Sequence, residues 1–354
     1  MNRQFWRGKR IFLTGHTGFK GGWLALWLAD MGAEVHGYAL LPPTEPNIFT
    51  VAHVRNRLAS STMADIRDPA SLAKALQTAQ PDIVLHLAAQ PLVRHSYAAP
   101  VETYAVNVIG TVNLLEAVRQ TSSVKAMINV TTDKCYENRE WVWPYRENEA
   151  MGGFDPYSSS KACSELVTAA YRRSFLEPEG VHLASARAGN VIGGGDWAQD
   201  RLIPDFLRAL DAGKVLTIRS PMATRPWQHV LEPLAGYLIL AERLFDDGAG
   251  FAEAWNFGPE ETDARPVRWI VEHLCNHVPE ASWRCDTAPQ RHEANMLKLD
   301  SSKAKARLGW RPRWSLKTAL GMTLAWHQAW KEGADMATAS VEQIRTYEAA
   351  AEDR

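Results

Sequence analysis

The chain is short of the features that would commit it to an unusual environment. It has four cysteines, Cys135, Cys163, Cys275 and Cys285, and none pairs as CxxC or CxxH. That spacing excludes a disulfide framework and a cysteine metal knot, and it fits a reduced, cytoplasmic chain. No run approaches the ~20 apolar residues of a membrane span. The opening residues, Met1 to Arg10, lack the long apolar stretch of a secretory leader and lead directly into a strand. No charge of one sign prevails: Lys+Arg 39 against Asp+Glu 40 leaves −1. A global field for nucleic acid or an anionic membrane is therefore absent, and any anion site must be local. The histidines are scattered, and no metal is assigned. There is no internal repeat. What remains, 46% hydrophobic and 22% charged residues over 354 positions, reads as a soluble globular protein with room for two lobes. Tryptophan is plentiful at 14, and most of these side chains are expected in the core or an interface.

The first half alternates strands and helices. Lys9–Thr14 reads as a buried strand, and Gly15-His16-Thr17-Gly18-Phe19-Lys20-Gly21 follows at once. Apolar Trp23, Leu24, Leu26, Trp27 and Leu28 then predict a buried helix ending at Gly32. Strand, glycine triplet and helix in that order predict a dinucleotide site. The glycines permit a tight turn and close backbone approach, and the helix N-terminus offers free N–H groups to a pyrophosphate. A second strand, Glu34–Leu40, should end on an Asp or Glu that grips the ribose of NAD. It ends instead on Tyr38-Ala39-Leu40 before Pro42-Pro43, with no Arg to favour NADP. NAD is the expected cofactor, with the ribose grip missing or supplied elsewhere. Asp65 and Ile66 follow the third strand and are candidates for the adenine edge. Asp68 before Pro69 predicts a helix N-cap. The fourth strand, 82–90, ends on Leu87-Ala88-Ala89, small enough for a cofactor to lie across. Asn107 sits in an otherwise apolar helix, and strand 124–131 delivers Thr131-Thr132-Asp133-Lys134. The fold class is α/β: a Rossmann-type doubly wound parallel sheet with ligands beyond the carboxyl ends of its strands.

Tyr157 and Lys161 stand at i, i+4, on one face of a predicted helix. A lysine beside a tyrosine favours the phenolate and should lower the phenol below its usual ~10. By itself this pair means alcohol oxidation.

With these residues placed, the chain resembles the extended short-chain dehydrogenase/reductase family. The resemblance covers about residues 8–330. It extends to the CDP-glucose 4,6-dehydratase branch through Thr14–Gly21, Thr131–Trp141, Arg187–Trp197, Arg225–Pro233 and Leu297–Ala304. It implies CDP-glucose as substrate, NAD as cofactor, and an elimination that follows C4 oxidation. Tyr157, Lys161 and Thr132 would serve the oxidation. Asp133 would be the acid at C6 and Lys134 the base at C5. The related dTDP-glucose enzymes carry a Glu at this last position, so Lys134 is a departure from the wider pattern. An amine is a base only when neutral, so a charged Lys134 that stabilises the enolate is the alternative role. The resemblance also implies a homodimer or homotetramer formed through helices of the cofactor domain.

The second half is expected to be the smaller substrate lobe. The division runs 1–188 for the cofactor domain, with a returning segment near 228–257, and 189–227 plus 258–354 for the lobe. The glycine-rich 189–200 suits a loop over substrate. Asn190, Arg201 and Arg225 are the phosphate candidates, with Arg291 and Glu293 as further contacts. Leu316–Trp330 reads as an amphipathic helix, and 337–354 as an exposed, fraying tail. A nucleotide-sugar 4-epimerase or reductase would need Tyr157 and Lys161 but no acid–base pair at 133–134. A regulatory protein that only senses NAD would need none of them.

Overall fold

A computed structural model describes residues 1–286, 288 and 295–350. Seven strands form one parallel sheet: β1 (Arg10–Thr14), β2 (Glu34–Ala39), β3 (Ser60–Met63), β4 (Ile83–His86), β5 (Ala126–Val130), β6 (His182–Ala188) and β7 (Ala254–Phe257). Their spatial order is β7-β6-β5-β4-β1-β2-β3. The central strands are apolar on both faces because helices cover both: Ile11, Leu13, Ile83, Leu85 and Ile128 are buried on one, Phe12, Val84 and Met127 on the other. Registers such as Leu13 opposite Gly37 and Leu85 bring the strand ends level. The order reverses between β1 and β4, so a crevice opens there beyond the carboxyl ends.

The helices follow their signals. α1 (Phe19–Asp30) starts on Gly18 and is buried on almost every side, Trp23 and Trp27 included. α2 (Pro69–Ala79) is capped as its sequence predicts: the Asp68 carboxylate accepts from the N–H groups of Ala70 and Ser71, both at 3.1 Å. α3 (Gly110–Arg119) and α4 (Pro156–Tyr171) cover one face of the sheet, and α5 (Leu231–Asp247) contributes to the core on the other. Residues 191–229 and 264–285 build a smaller layer of two-stranded ribbons and helices around its own cluster, with Phe206, Trp227, Ile270 and Leu320. α6 (Leu316–Lys331) is the expected amphipathic helix. Among the described residues no helix is long and apolar enough to cross a membrane.

The tail differs from its expectation. Residues Met336–Ala349 form a capped helix, α7, packed on α1. Its alanines and glutamates disguise one apolar face: Met336, Ser340, Ile344 and Tyr347 recur at helical spacing and are all buried. Tyr347 donates to Glu232 (2.6 Å), and the Trp27 indole donates to Glu348 (3.0 Å). Burial pushes the Glu232 carboxyl up to about 7, although Arg313, Trp314 and Tyr347 all donate to it.

Candidate active site

The crevice is a cavity of about 790 Å³. One end is the glycine turn. Gly15 has φ +79°, and a Cβ there would lie 2.7 Å from the Ala88 nitrogen. At Gly21 a Cβ would lie 2.0 Å from the Gly15 carbonyl oxygen. Both positions therefore demand glycine, and the helix N-terminus sits tight against the strand end. Thr14 holds the opposite wall, its hydroxyl accepting from the N–H groups of Leu87 and Ala88 at 3.1 Å. His86 bonds the same hydroxyl at 2.7 Å and is kept neutral by burial, pushed down to about 3.

Most of the predicted cofactor residues meet here. Gly15, Thr17, Gly18, Phe19, Lys20, Gly21, Asp65, Ile66, Leu87, Ala88, Ala89, Thr131, Tyr157 and Lys161 line the cavity. Two do not. The His16 imidazole turns under β2, bonded to Ser61 (2.7 Å) and edge-on to Phe49. Asn107 is buried, with its amide spent on the Gln90 backbone and on Ser160. Its polarity serves the join between the β4 loop and α4. The wall after β2 is Ala39, Leu40, Leu41 and Pro43, so no acid replaces the missing ribose grip at that strand end. Asp65 lines the cavity but is already paired with Arg67 at 2.5 Å.

The predicted chemistry gathers at the middle. β5 runs out into Thr132, which caps a short turn, Asp133–Cys135. Asp155 caps α4 and Pro156 opens it, so Tyr157 stands in its first turn. Tyr157 stands close enough to Thr132 for that side chain to act on the phenol. Asp133 is buried. Its Oδ1 accepts from Thr132 at 3.0 Å, and its Oδ2 has no hydrogen-bond partner among the described residues. Burial raises its pKa, against the pull of Lys134, Thr132, Arg225 and Lys20. The neutral acid is thus favoured further up the pH scale than in an ordinary carboxyl.

The phenol departs from expectation. Burial pushes Tyr157 up to about 12, and the neighbouring Thr132 side chain and the Arg201 charge oppose this only in part. Lys161 is not among the main opposing influences; its Nζ donates to the Val130 carbonyl (3.4 Å). Burial lowers Lys161 itself to about 8, with Glu165 as the main opposing charge. Lys20 was expected at the cofactor. It lies among Asp133, Arg201 and Lys161, and burial lowers it to about 7.

The far end belongs to the smaller layer. Asn190, Arg201 and Arg225 all line the cavity. Arg201 is held by Asp196 at 2.9 Å. Arg225 lies on the strand Thr224–Pro226, buried close enough to Asp133 to act on its charge, and so reaches the middle of the cavity. Arg291 and Glu293 lie outside the described residues. Sequence reasoning missed Arg219, which lines the same end and pairs with Asp200 at 2.9 Å. It also missed the ion pair of Glu165 and Arg187 under the turn (2.9 Å). Glu165 could have been found as the next helical position, i+4, after Lys161. His273 and His277 stand one turn apart on an outer helix. Among the described residues no cluster of three His, Cys, Asp or Glu forms a metal site there or elsewhere.

Comparison with known proteins agrees with this geometry. The family model described as GDP-mannose 4,6 dehydratase matches residues 12–323. A CDP-glucose 4,6-dehydratase from Salmonella typhimurium is 55% identical over 98% of this chain and 98% of its own length. Among solved structures, dTDP-glucose 4,6-dehydratase from Streptomyces venezuelae, with NAD and TYD bound, superposes with TM-score 0.77. It is 25% identical, and the match covers 92% of this chain and 99% of that one. UDP-glucose 4-epimerase from Thermotoga maritima, with UDP-glucose, reaches TM-score 0.78 at 23% identity, over 91% and 99% of the two chains, a likeness of fold. The chain belongs to the GDP-mannose 4,6 dehydratase family, within the extended short-chain dehydrogenases/reductases.

Proposed function

We propose that this chain is an NAD-dependent lyase that converts CDP-D-glucose to CDP-4-keto-6-deoxy-D-glucose and water. One observation carries the reading. An oxidation pair, Tyr157 and Lys161, and a buried acid with a lysine beside it, Asp133 and Lys134, line one cavity. An epimerase has no use for the second pair. The 55% identity to the Salmonella enzyme supports the same substrate.

The glycine turn, the small Ala88-Ala89 wall and the helix N-terminus fit a dinucleotide. Held by Gly15, Gly18, Gly21 and the Ala88-Ala89 wall, NAD would supply the hydride acceptor for C4, the hydride donor for C6 and a positive charge favouring the phenolate. Tyr157 takes the proton of the 4-hydroxyl, and Thr132 hydrogen-bonds the same oxygen. The resulting ketone acidifies C5. Lys134, in its neutral form, removes that proton. Asp133, whose neutral form burial favours, delivers a proton to the C6 hydroxyl, which leaves as water. A proton then returns to C5. Asn190, Arg201 and Arg225 remain the predicted substrate contacts, and Arg219 joins them at the outer end.

The unit of action is a homodimer or a homotetramer in the cytoplasm. Exposed Val101, Ile109 and Leu166 (82%, 53% and 61%) support this, set on helices that flank one another. Pairing of β7 with β6 supports assigning the segment near 228–257 to the cofactor domain, whereas α7 draws the chain end to that domain as well.

The test is incubation with CDP-glucose and NAD, following the 4-keto sugar by its absorbance in alkali. Product from CDP-glucose well ahead of the dTDP, UDP and GDP sugars is expected. Product from one of those alone overturns the substrate.

A further inference from the structure

We propose that the buried Glu165–Arg187–Tyr136 network is a positioning device, setting the turn that carries Asp133 and Lys134 against the helix that carries Tyr157 and Lys161. The proposal rests on the reading of Asp133 and Lys134 given above.

Glu165 lies one helical turn beyond Lys161 on α4. Its Oε1 accepts from the Thr131 hydroxyl (2.5 Å) and Arg187 Nε (2.9 Å). Its Oε2 accepts from the Ser185 hydroxyl (2.6 Å) and Arg187 Nη2 (2.9 Å). Arg187 Nη1 then donates to the Tyr136 hydroxyl (2.7 Å) and the Glu147 carbonyl (3.0 Å). The Tyr136 hydroxyl in turn donates to Asn256 Oδ1 (2.7 Å). Asn256 stands opposite Arg187 in the β6–β7 register, and its amide donates to the carbonyls of Tyr145 and Asp300.

Thr131 precedes Thr132, the cap of the turn, and Tyr136 immediately follows the turn. Both of its ends are therefore tied to one ion pair, and that pair is anchored on α4, β6 and β7. Such a pair, once desolvated, gains little over an apolar replacement of the same shape. What it supplies is geometry: a fork with five fixed donors against a carboxylate fixes distance and angle together. The spacing of the two catalytic pairs matters because one sugar must meet both without moving. A misplacement of ~1 Å costs on the order of a hundredfold in rate.

Tyr136→Phe is the mild perturbation, since the ring stays stacked on Tyr145 (5.2 Å) and beside Arg187. Glu165→Gln is the severe one. Single-turnover reactions follow the reduced nicotinamide and the 4-keto-6-deoxy product separately, with whichever nucleotide sugar the unaltered enzyme oxidises. In Tyr136→Phe, oxidation is expected within about threefold of the unaltered rate, while water loss falls about tenfold or more and reduced nicotinamide accumulates. Equal falls in both steps, or none, overturn the proposal. Amide hydrogen exchange needs no substrate and guards against unfolding. Residues 131–136 should exchange about tenfold faster in Tyr136→Phe while β4 is unchanged. Unchanged protection there also overturns it. If the unaltered enzyme oxidises sugars without ever losing water, the assigned function fails instead, and the exchange result still judges the network.

Discussion

Replacing Asp133 by asparagine should divide the reaction at its middle. The amide has the shape of the carboxyl, and its oxygen can still accept from the Thr132 hydroxyl, now at 3.0 Å. Burial works against the charged carboxyl, so an uncharged amide of the same shape should change folding stability by less than about 1 kcal/mol. What it removes is a transferable proton. General acid catalysis is worth ~10²–10⁴ in rate, or ~3–5 kcal/mol of barrier. C4 oxidation draws on Tyr157, Lys161 and Thr132, and should stay within about threefold. Rapid mixing of enzyme, NAD and CDP-glucose would then show reduced nicotinamide rising at nearly the normal rate and persisting, with little 4-keto-6-deoxy product. In the unaltered enzyme the same acid role sets a sign. Asp133 works while protonated, so water loss fades as pH rises through its raised pKa, and asparagine abolishes that limb. Product formation reduced less than about tenfold, or both steps reduced alike, would refute the acid role.

Lys134→Met should stop solvent deuterium entering C5 by a factor of ~10² or more, with undiminished exchange assigning the proton to another group. Gly15→Ala meets both a left-handed φ and the Ala88 backbone, so NAD affinity by calorimetry should fall at least about tenfold; normal affinity would mean the turn is not the pyrophosphate site. Leu166→Glu places a charge on the exposed apolar helix face and should weaken self-association at least about tenfold in sedimentation, unless the assembly uses another surface. Glu232 binds a proton more tightly folded, near 7, than unfolded, near 4.5. Its contribution is therefore full below the unfolded value and is lost as pH rises through the folded one. Between about pH 5 and about pH 8 it should cost the unaltered enzyme up to ~3 kcal/mol of unfolding free energy relative to Glu232→Gln; parallel curves would refute it.

The sequence by itself determined the sheet, the glycine turn and the set Thr132, Asp133, Lys134, Tyr157 and Lys161 that lines the middle of the cavity. Each of those signals is local: a strand ending on Gly15, a cap at Asp68, Tyr157 and Lys161 one turn apart on a helix, Thr132-Asp133-Lys134 at a strand end. Local periodicity and spacing specify backbone geometry, and these residues follow the backbone. Where a side chain's meaning depends on distant neighbours, local reading went astray or said nothing. His16 and Asn107 sit in the right segments, but His16 Nε2 is bonded to Ser61 and the Asn107 amide to Gln90 and Ser160. The tail at 336–349 looked solvated because its few apolar residues become a stripe only against α1. The direction of the Tyr157 shift reversed, because desolvation belongs to the packed cavity and outweighs the cations around it. The tie from Glu165 through Arg187 to Tyr136 joins residues up to 51 positions apart. Only tertiary structure could decide it, because hydrogen bonds between strands and helices depend on the order in which the sheet sets them side by side.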